Sequence, residues 1–336
     1  MKKTAKVLGA STMMAGVLPH LYFLGKHHNK KATKGVQIIT SYQVATNQTE
    51  YFLLANGNFP LFTKVHRVEK PKAVVQLVHG AMEHQGRYFN LIKKLNQQGY
   101  AVVANDHRGH GRSVTDKYPK GFMNGTQELL NDLVLVTDFI NQLYPEVPVY
   151  MFGHSMGSML ARAYLLENDQ RIDKLILTGV PPYNPMVGAG ITLAKLIGFY
   201  RGEKASSSIL NVLPKELDWI AYNQQHLQTI ANDPLGMEQF TNGGNLTMFE
   251  LNRLLNYPKK FKAKHSDLPI LVLNGADDTL ITGGSDGIDD SARRLTKAGY
   301  RHLVLKQYPN MKHEIIHEKD ADTVFEDILS FYRKTN

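Results

Sequence analysis

A chain of 336 residues that is 43% hydrophobic and 21% charged buries enough surface on folding to need neither disulfide nor structural metal, and the absence of cysteine excludes a disulfide framework, a cysteine nucleophile and a thiolate metal site. Seven of the lysines behind the formal charge of +9 stand at positions 2, 3, 6, 26, 30, 31 and 34, in a stretch without a single acid. Setting them aside leaves +2 for the other 302 residues, so the body is near neutral, and with no base-reading motif beside the charge the sequence argues against nucleic acid as a partner.

Residues 1–35 open on Lys2, Lys3 and Lys6 and continue as an apolar run from Val7 to Gly25, broken by Pro19 and His20. A basic start and a short apolar stretch suit a signal peptide, but no small-residue cleavage site follows. The run is also roughly the 20 residues of an uncleaved anchor, with lysines on both sides that leave its orientation open. A cationic segment beside an apolar one suits anionic lipid, so the expectation is a leader or anchor that associates with a membrane surface, with cytoplasmic or secreted protein as the alternatives.

From Val36 the chain reads as strands: Val36–Ala45, Tyr51–Ala55 and, after the turn Asn56-Gly57-Asn58, Phe59–Val68. An alternation then sets in. Ala73–Val78 is a short apolar run of the kind a strand covered on both faces needs. A helix over Arg87–Gln98, a strand over Tyr100–Ala104, and a helix over Thr126–Leu143 with Leu129, Leu133, Val136 and Ile140 on one face follow. Val147–Phe152 (strand), Met156–Glu167 (helix) and Lys174–Leu177 (strand) continue it. Between Pro181 and Ser266 the alternation stops, leaving amphipathic pieces at Ile191–Tyr200, Trp219–Ile230 and Leu246–Leu255. Strands return at Ile270–Leu273 and His302–Gln307, with helices at Asp286–Ala298 and from Asp320. Repeated β-α-β units imply a mostly parallel sheet with helices on both faces, built from 36–182 and 263–336, with 183–262 inserted over the carboxyl ends of its strands.

Gly153-His154-Ser155-Met156-Gly157 reads G-x-S-x-G at a strand-to-helix junction, the context in which that pattern carries a nucleophilic serine. The glycines let the chain turn sharply enough to raise Ser155 on its tip, and the helix that follows points its positive end at a developing oxyanion. A serine hydroxyl needs a histidine to take its proton and a carboxylate to orient that histidine, both later in the chain for this pattern. Asp277 and Asp278 both follow the strand Ile270–Leu273. Of the later histidines, His302 lies in a strand, His313 in the loop after it, where the base belongs, and His317 four residues on is expected to cap or to face solvent. His313-Glu314-Ile315-Ile316-His317 also spells H-E-x-x-H, which on a helix binds zinc and marks a metallopeptidase. Pro309 and Asn310 just upstream suggest a loop instead, and no third ligand stands out downstream.

His79-Gly80-Ala81-Met82-Glu83-His84-Gln85-Gly86-Arg87-Tyr88 resembles the HGxxEHxxRY segment of the monoacylglycerol lipase and lysophospholipase family, of the serine aminopeptidase S33 type, and Asp106–Ser113 is similar to its DxRGHGxS segment. With Gly153–Gly157 and the two downstream loops, five blocks stand in order across about residues 45–334. The resemblance implies the α/β-hydrolase fold, a helical cap at 183–262, and a serine hydrolase that cleaves carboxylic esters of lipid-like substrates through an acyl-serine intermediate. A peptidase, thioesterase or acyltransferase with the same three residues is the alternative. It implies the backbone N–H groups of Ala81 and Met156 as oxyanion donors, and the family's G-x-x-D pattern selects Asp278 beside Ser155 and His313. Glu83, His84, Asp106 and Arg108 match positions that hold loops together. Neither cofactor nor metal is implied, and apolar cap residues such as Ile191, Leu193, Leu196, Ile197 and Phe199 are expected mostly to pack, or else to line an acyl channel or meet a membrane.

Overall fold

In the computed structural model, which describes residues 18–24, 35–257 and 261–334, nine strands form one sheet in the order β1-β2-β3-β5-β4-β6-β7-β8-β9. β1 (Ile38–Ala45), β2 (Gln48–Ala55) and β3 (Phe59–His66) are an antiparallel meander, and β3 pairs antiparallel with β5 (Tyr100–Asn105). From β5 onward every pairing is parallel, through β4 (Ala73–Val78), β6 (Val149–His154), β7 (Lys174–Thr178), β8 (Ile270–Gly275) and β9 (Leu303–Tyr308). The sheet is mostly parallel, as the alternation implies, and its strand order suits the α/β-hydrolase fold that the family resemblance implies.

The period-2 geometry of a strand explains why the central ones are apolar throughout. In β4, Val74 and Val78 face one cluster while Ala73, Val75 and Leu77 face the other. The first cluster is closed by α3 (Thr126–Leu143) through Leu129, Leu133, Val136 and Ile140, and by α4 (Met156–Asn168) through Leu160 and Tyr164. The second is closed by α2 (Phe89–Gln97) through Leu91, Ile92 and Leu95, and by α10 (Ala321–Arg333) through Val324, Phe325 and Ile328. The one polar side chain of β4, Gln76, is satisfied: its amide donates to Leu133 O at 3.0 Å and its carbonyl accepts from Thr137 Oγ1 at 2.7 Å.

Between β7 and β8 lie α5 (Val187–Arg201), α6 (Gln224–Ala231) and α7 (Asn242–Leu254), with α5 packed along α7. The amphipathic piece expected over Trp219–Ile230 is helical only from Gln224, because Asn223 caps α6 by accepting from His226 N and the residues before it are pinned to other loops. The helix expected from Arg87 likewise opens as a 3₁₀ turn, Gln85–Tyr88, before α2 begins. Ile191 is buried between α5, Leu246 of α7 and Phe23 of a short helix, α1, at residues 18–24, whereas Leu193 stays exposed. Among the described residues no helix is long and apolar enough to cross a membrane. The leader read over residues 1–35 lies mostly outside the described residues.

Candidate active site

Parallel strands end along one edge of the sheet, so the loops after β4, β6, β8 and β9 converge there without further design. Ser155 sits on the turn from β6 into α4 with φ 52° and ψ −117°, a backbone conformation that a non-glycine residue adopts only under constraint. The constraint is visible. Ser155 N donates to Thr178 O of β7 at 2.9 Å, and α4 starts at once with Met156. A side chain at Gly157 would overlap the Val78 carbonyl, and one at Gly153 would lie 2.7 Å from Gly157 O, so the turn closes only with glycine at both places. Met156 N is then the first N–H of a helix, one of the donors a helix leaves unpaired at its start.

His313, in the loop after β9, has Nε2 2.9 Å from Ser155 Oγ and Nδ1 2.6 Å from Asp278 Oδ2. The loop after β8 can lie this close because Gly275 has no side chain, and a Cβ there would strike the Met311 and Lys312 carbonyls. Asp278 is buried and caps the short helix α8 (Thr279–Thr282), its Oδ1 accepting from Ile281 N at 3.2 Å. Its neighbour Asp277 points outward and accepts from Tyr222 Oη at 2.8 Å. The carboxylate against the imidazole is therefore that of Asp278. Burial pushes the His313 imidazole down, but the charge and hydrogen bond of Asp278, joined by Glu314 and Glu83, outweigh it and the net displacement is upward.

Ala81 lies in the turn after β4, next to Gly80, where a Cβ would stand 3.1 Å from Ser155 Cβ. That turn is held by Glu83, whose Oε1 accepts from Gly80 N and from Tyr88 Oη, the latter at 2.6 Å. Asp106 accepts from Gln85 N at 2.9 Å and Arg112 N at 2.8 Å, and fully buried Arg108 grips Asp132 with two bonds of 2.6 and 2.8 Å. His84 Nε2 meets Asp233 Oδ2, at the end of α6, at 3.0 Å. Glu83, Asp106 and His84 tie loop segments together and Arg108 ties the loop after β5 to α3, and none of these hydrogen bonds is with Ser155 or His313.

Two histidines stand elsewhere. His302 is exposed just before β9, 3.2 Å from Asp267. His317 does not face solvent as its spacing suggested: only 10% of its side chain is exposed, its ring stacks on His226 of α6 at 4.0 Å, and burial lowers its pKa to about 3. The H-E-x-x-H segment is a loop followed by a 3₁₀ turn, Ile315–His317, rather than an α-helix. His313 and His317 therefore turn to different partners, and the zinc-peptidase geometry is not formed. His226, Glu314 and His317 do bring three ligand atoms within 4.8 Å. Arg87 pairs with two of the three: its Nη2 lies 2.7 and 2.8 Å from the two Glu314 oxygens and 3.5 Å from His226 Nε2, so a divalent cation there would face a guanidinium. Arg87 and the His226–Glu314 contact were not legible as a unit, since they join three distant stretches of chain.

The chain matches the family described as serine aminopeptidase, S33, over residues 69–320. It is 26% identical over 266 residues to a monoacylglycerol lipase of Mycolicibacterium smegmatis, covering 78% of this chain and 88% of that one. Against a monoglyceride lipase of Rattus norvegicus it is 26% identical over 259 residues, covering 74% and 81%. A thermostable carboxyl esterase from Bacillus coagulans, crystallised with glycerol, superposes with a TM-score of 0.73 at 26% identity, covering 89% of this chain and 98% of the other.

Proposed function

Because the chain belongs to the serine aminopeptidase S33 family of α/β-hydrolases, we propose that it is a carboxylic ester hydrolase acting on lipid-like esters of the monoacylglycerol or lysophospholipid type, with Ser155, His313 and Asp278 as its catalytic residues. The single observation that carries the residue assignment is the His313 imidazole lying between the Ser155 hydroxyl and the Asp278 carboxylate.

In this reading His313 Nε2 accepts the Ser155 proton as Oγ attacks the ester carbonyl carbon. The carbonyl electron pair moves to oxygen, which accepts hydrogen bonds from Ala81 N–H and Met156 N–H, each worth on the order of 10²-fold in rate. Asp278 holds Nδ1–H and stabilises the imidazolium. As the tetrahedral intermediate collapses, the C–O bond to the alcohol breaks and His313 gives the leaving oxygen its proton. Water, deprotonated by His313, then attacks the acyl-serine, and Ser155 recovers its proton as the carboxylic acid leaves. No step calls on a metal or cofactor.

A fluorescent fluorophosphonate should label the wild-type protein and leave Ser155→Ala unlabelled; labelling of the alanine variant would end the assignment. A panel of monoacylglycerols, lysophospholipids, p-nitrophenyl esters, amides and thioesters then ranks the ester reading against peptidase or thioesterase activity.

A membrane-surface location is part of the same proposal. What supports it is α1, where Leu18, Leu21 and Leu24 are 50, 55 and 43% exposed while Phe23 is buried against α5 and α7, in a chain whose first 34 residues carry seven lysines. Co-sedimentation with anionic vesicles, compared with a Leu18→Asp, Leu21→Asp variant, tests it; equal binding by both proteins would refute it.

A further inference from the structure

The only tryptophan of the chain, Trp219, lies against the imidazole of His313, with ring centroids 5.5 Å apart and planes tilted by 43°. It belongs to the stretch just before α6, which has no regular structure of its own and is nonetheless fixed on every side. Ile220 O accepts from Glu314 N at 2.9 Å, beside His313 itself. Lys312 Nζ donates to Asp218 O. Tyr222 N donates to both carboxylate oxygens of Glu318 at 3.0 Å, and Glu318 in turn accepts from Lys312 N at 3.0 Å. Tyr222 Oη donates to Asp277, and Asn223 Nδ2 donates to His317 O at 2.8 Å. Residues 218–223 are thus strapped to the loop that carries His313 and to the loop that carries Asp278. Within the strap Ile220 and Ala221 are buried with Leu227, and Trp219 packs against them with its ring 5.5 Å from the imidazole.

We propose that Trp219 is a positioning residue for His313, its indole ring holding the imidazole toward Ser155 and stabilising it in the charged form that appears when it takes the serine proton. An indole face attracts a cation through its quadrupole and attracts the neutral ring far less, by a factor of about two to thirty in an equilibrium constant. An interaction stronger in the charged state lowers the barrier of the step that creates the charge. The other titratable groups facing His313 are Asp278, Glu314, Glu83 and His154, whose ring lies 4.8 Å away. The three carboxyl groups favour the imidazolium, whereas His154, pushed well below its ordinary range by burial, is a neutral neighbour. Trp219 therefore acts alongside Asp278, through a ring contact rather than a hydrogen bond. The proposal rests on the catalytic reading of His313 given above.

The test uses the full-length wild type with Trp219→Leu, Trp219→Phe and His313→Gln. Since Trp219 is the only indole, tryptophan emission comes from this ring alone, and a protonated imidazole quenches a neighbouring indole. The wild-type emission should fall as pH drops through the His313 titration, and that titration should vanish in His313→Gln. Turnover of a p-nitrophenyl ester against pH gives the second readout. Trp219→Leu should move the acid limb of kcat/KM to lower pH, by a factor of about two to ten in the acid constant, and lower kcat several-fold with KM little changed. Trp219→Phe, which keeps a weaker aromatic face, should fall between the two and serves as the folded control if the leucine variant is unstable. An acid limb that stays in place in both variants, or an emission titration that survives His313→Gln, overturns the proposal. Undiminished turnover by His313→Gln would instead sink the catalytic reading, and the emission titration would still show whether the two rings are coupled.

Discussion

His313 is the residue through which every proton of the proposed reaction passes, so its surroundings set the pH behaviour. Its pKa is displaced upward against the pull of burial, chiefly by Asp278. Only the neutral imidazole is a base, so kcat/KM should decline as pH falls through a value above the ordinary 6.5 or so of histidine. Asp278→Asn removes the carboxylate that favours the imidazolium, so the acid limb should move down while kcat drops by about 10⁴-fold, the cost of losing the orienting carboxylate in such triads. Asp277→Asn, altering an exposed side chain bonded to Tyr222, should leave that limb where it is. A pH–rate series on the three proteins decides between the adjacent acids. Turnover is also expected to be unchanged after dialysis against a chelator, because the Arg87 guanidinium already pairs with Glu314 and lies 3.5 Å from His226, beside the three ligand atoms.

Elements meet at Glu314. The carboxylate follows His313, pairs with Arg87 from the 3₁₀ turn before α2, and accepts from His226 Nε2 of α6 at 2.6 Å. Burial alone would raise its pKa, but Arg87 and His226 outweigh it and hold the carboxyl well below its ordinary range. A depressed carboxyl contributes stability that is fully present above its unfolded pKa and is lost as pH falls through the folded one. Arg87→Met leaves this carboxylate and that of Glu83, which burial already raises, without their guanidinium. We expect a loss of about 3–5 kcal/mol in urea unfolding at neutral pH, the usual cost of breaking a buried pair from one side. The deficit should shrink below about pH 5, where the orphaned carboxyls of the variant protonate. A deficit independent of pH would show that the pair is not what couples α2, α6 and the His313 loop.

At the scale of the whole molecule, the charge is uneven: a near-neutral body and a first 34 residues with seven lysines and no acid. If this basic stretch and the exposed leucines of α1 meet a lipid surface, as proposed, binding to anionic vesicles should weaken steeply as ionic strength rises past 0.15 M or so, where the screening length is about 8 Å. Binding to uncharged vesicles should be weaker from the start and indifferent to salt. The hydrolysis of a soluble ester should not respond to either change, since the cluster joining α1 to α5 and α7 includes neither Ser155 nor His313.

The sequence by itself determined the sheet and the serine turn, because both are matters of near neighbours: doubly apolar strands, helices with one apolar face, and two glycines that alone fit around a raised Ser155. The tertiary structure decided what depends on a side chain's final direction. Asp277 and Asp278 are indistinguishable by composition, and a single step of backbone sends one outward and the other against His313. His317 and Arg87 stood in motifs that named no partner and Trp219 in none, and their partners lie across 91, 227 and 94 positions respectively, at His226, Glu314 and His313. Local sterics can be read from a few residues, whereas a contact between distant residues exists only once packing has fixed the loops that carry them.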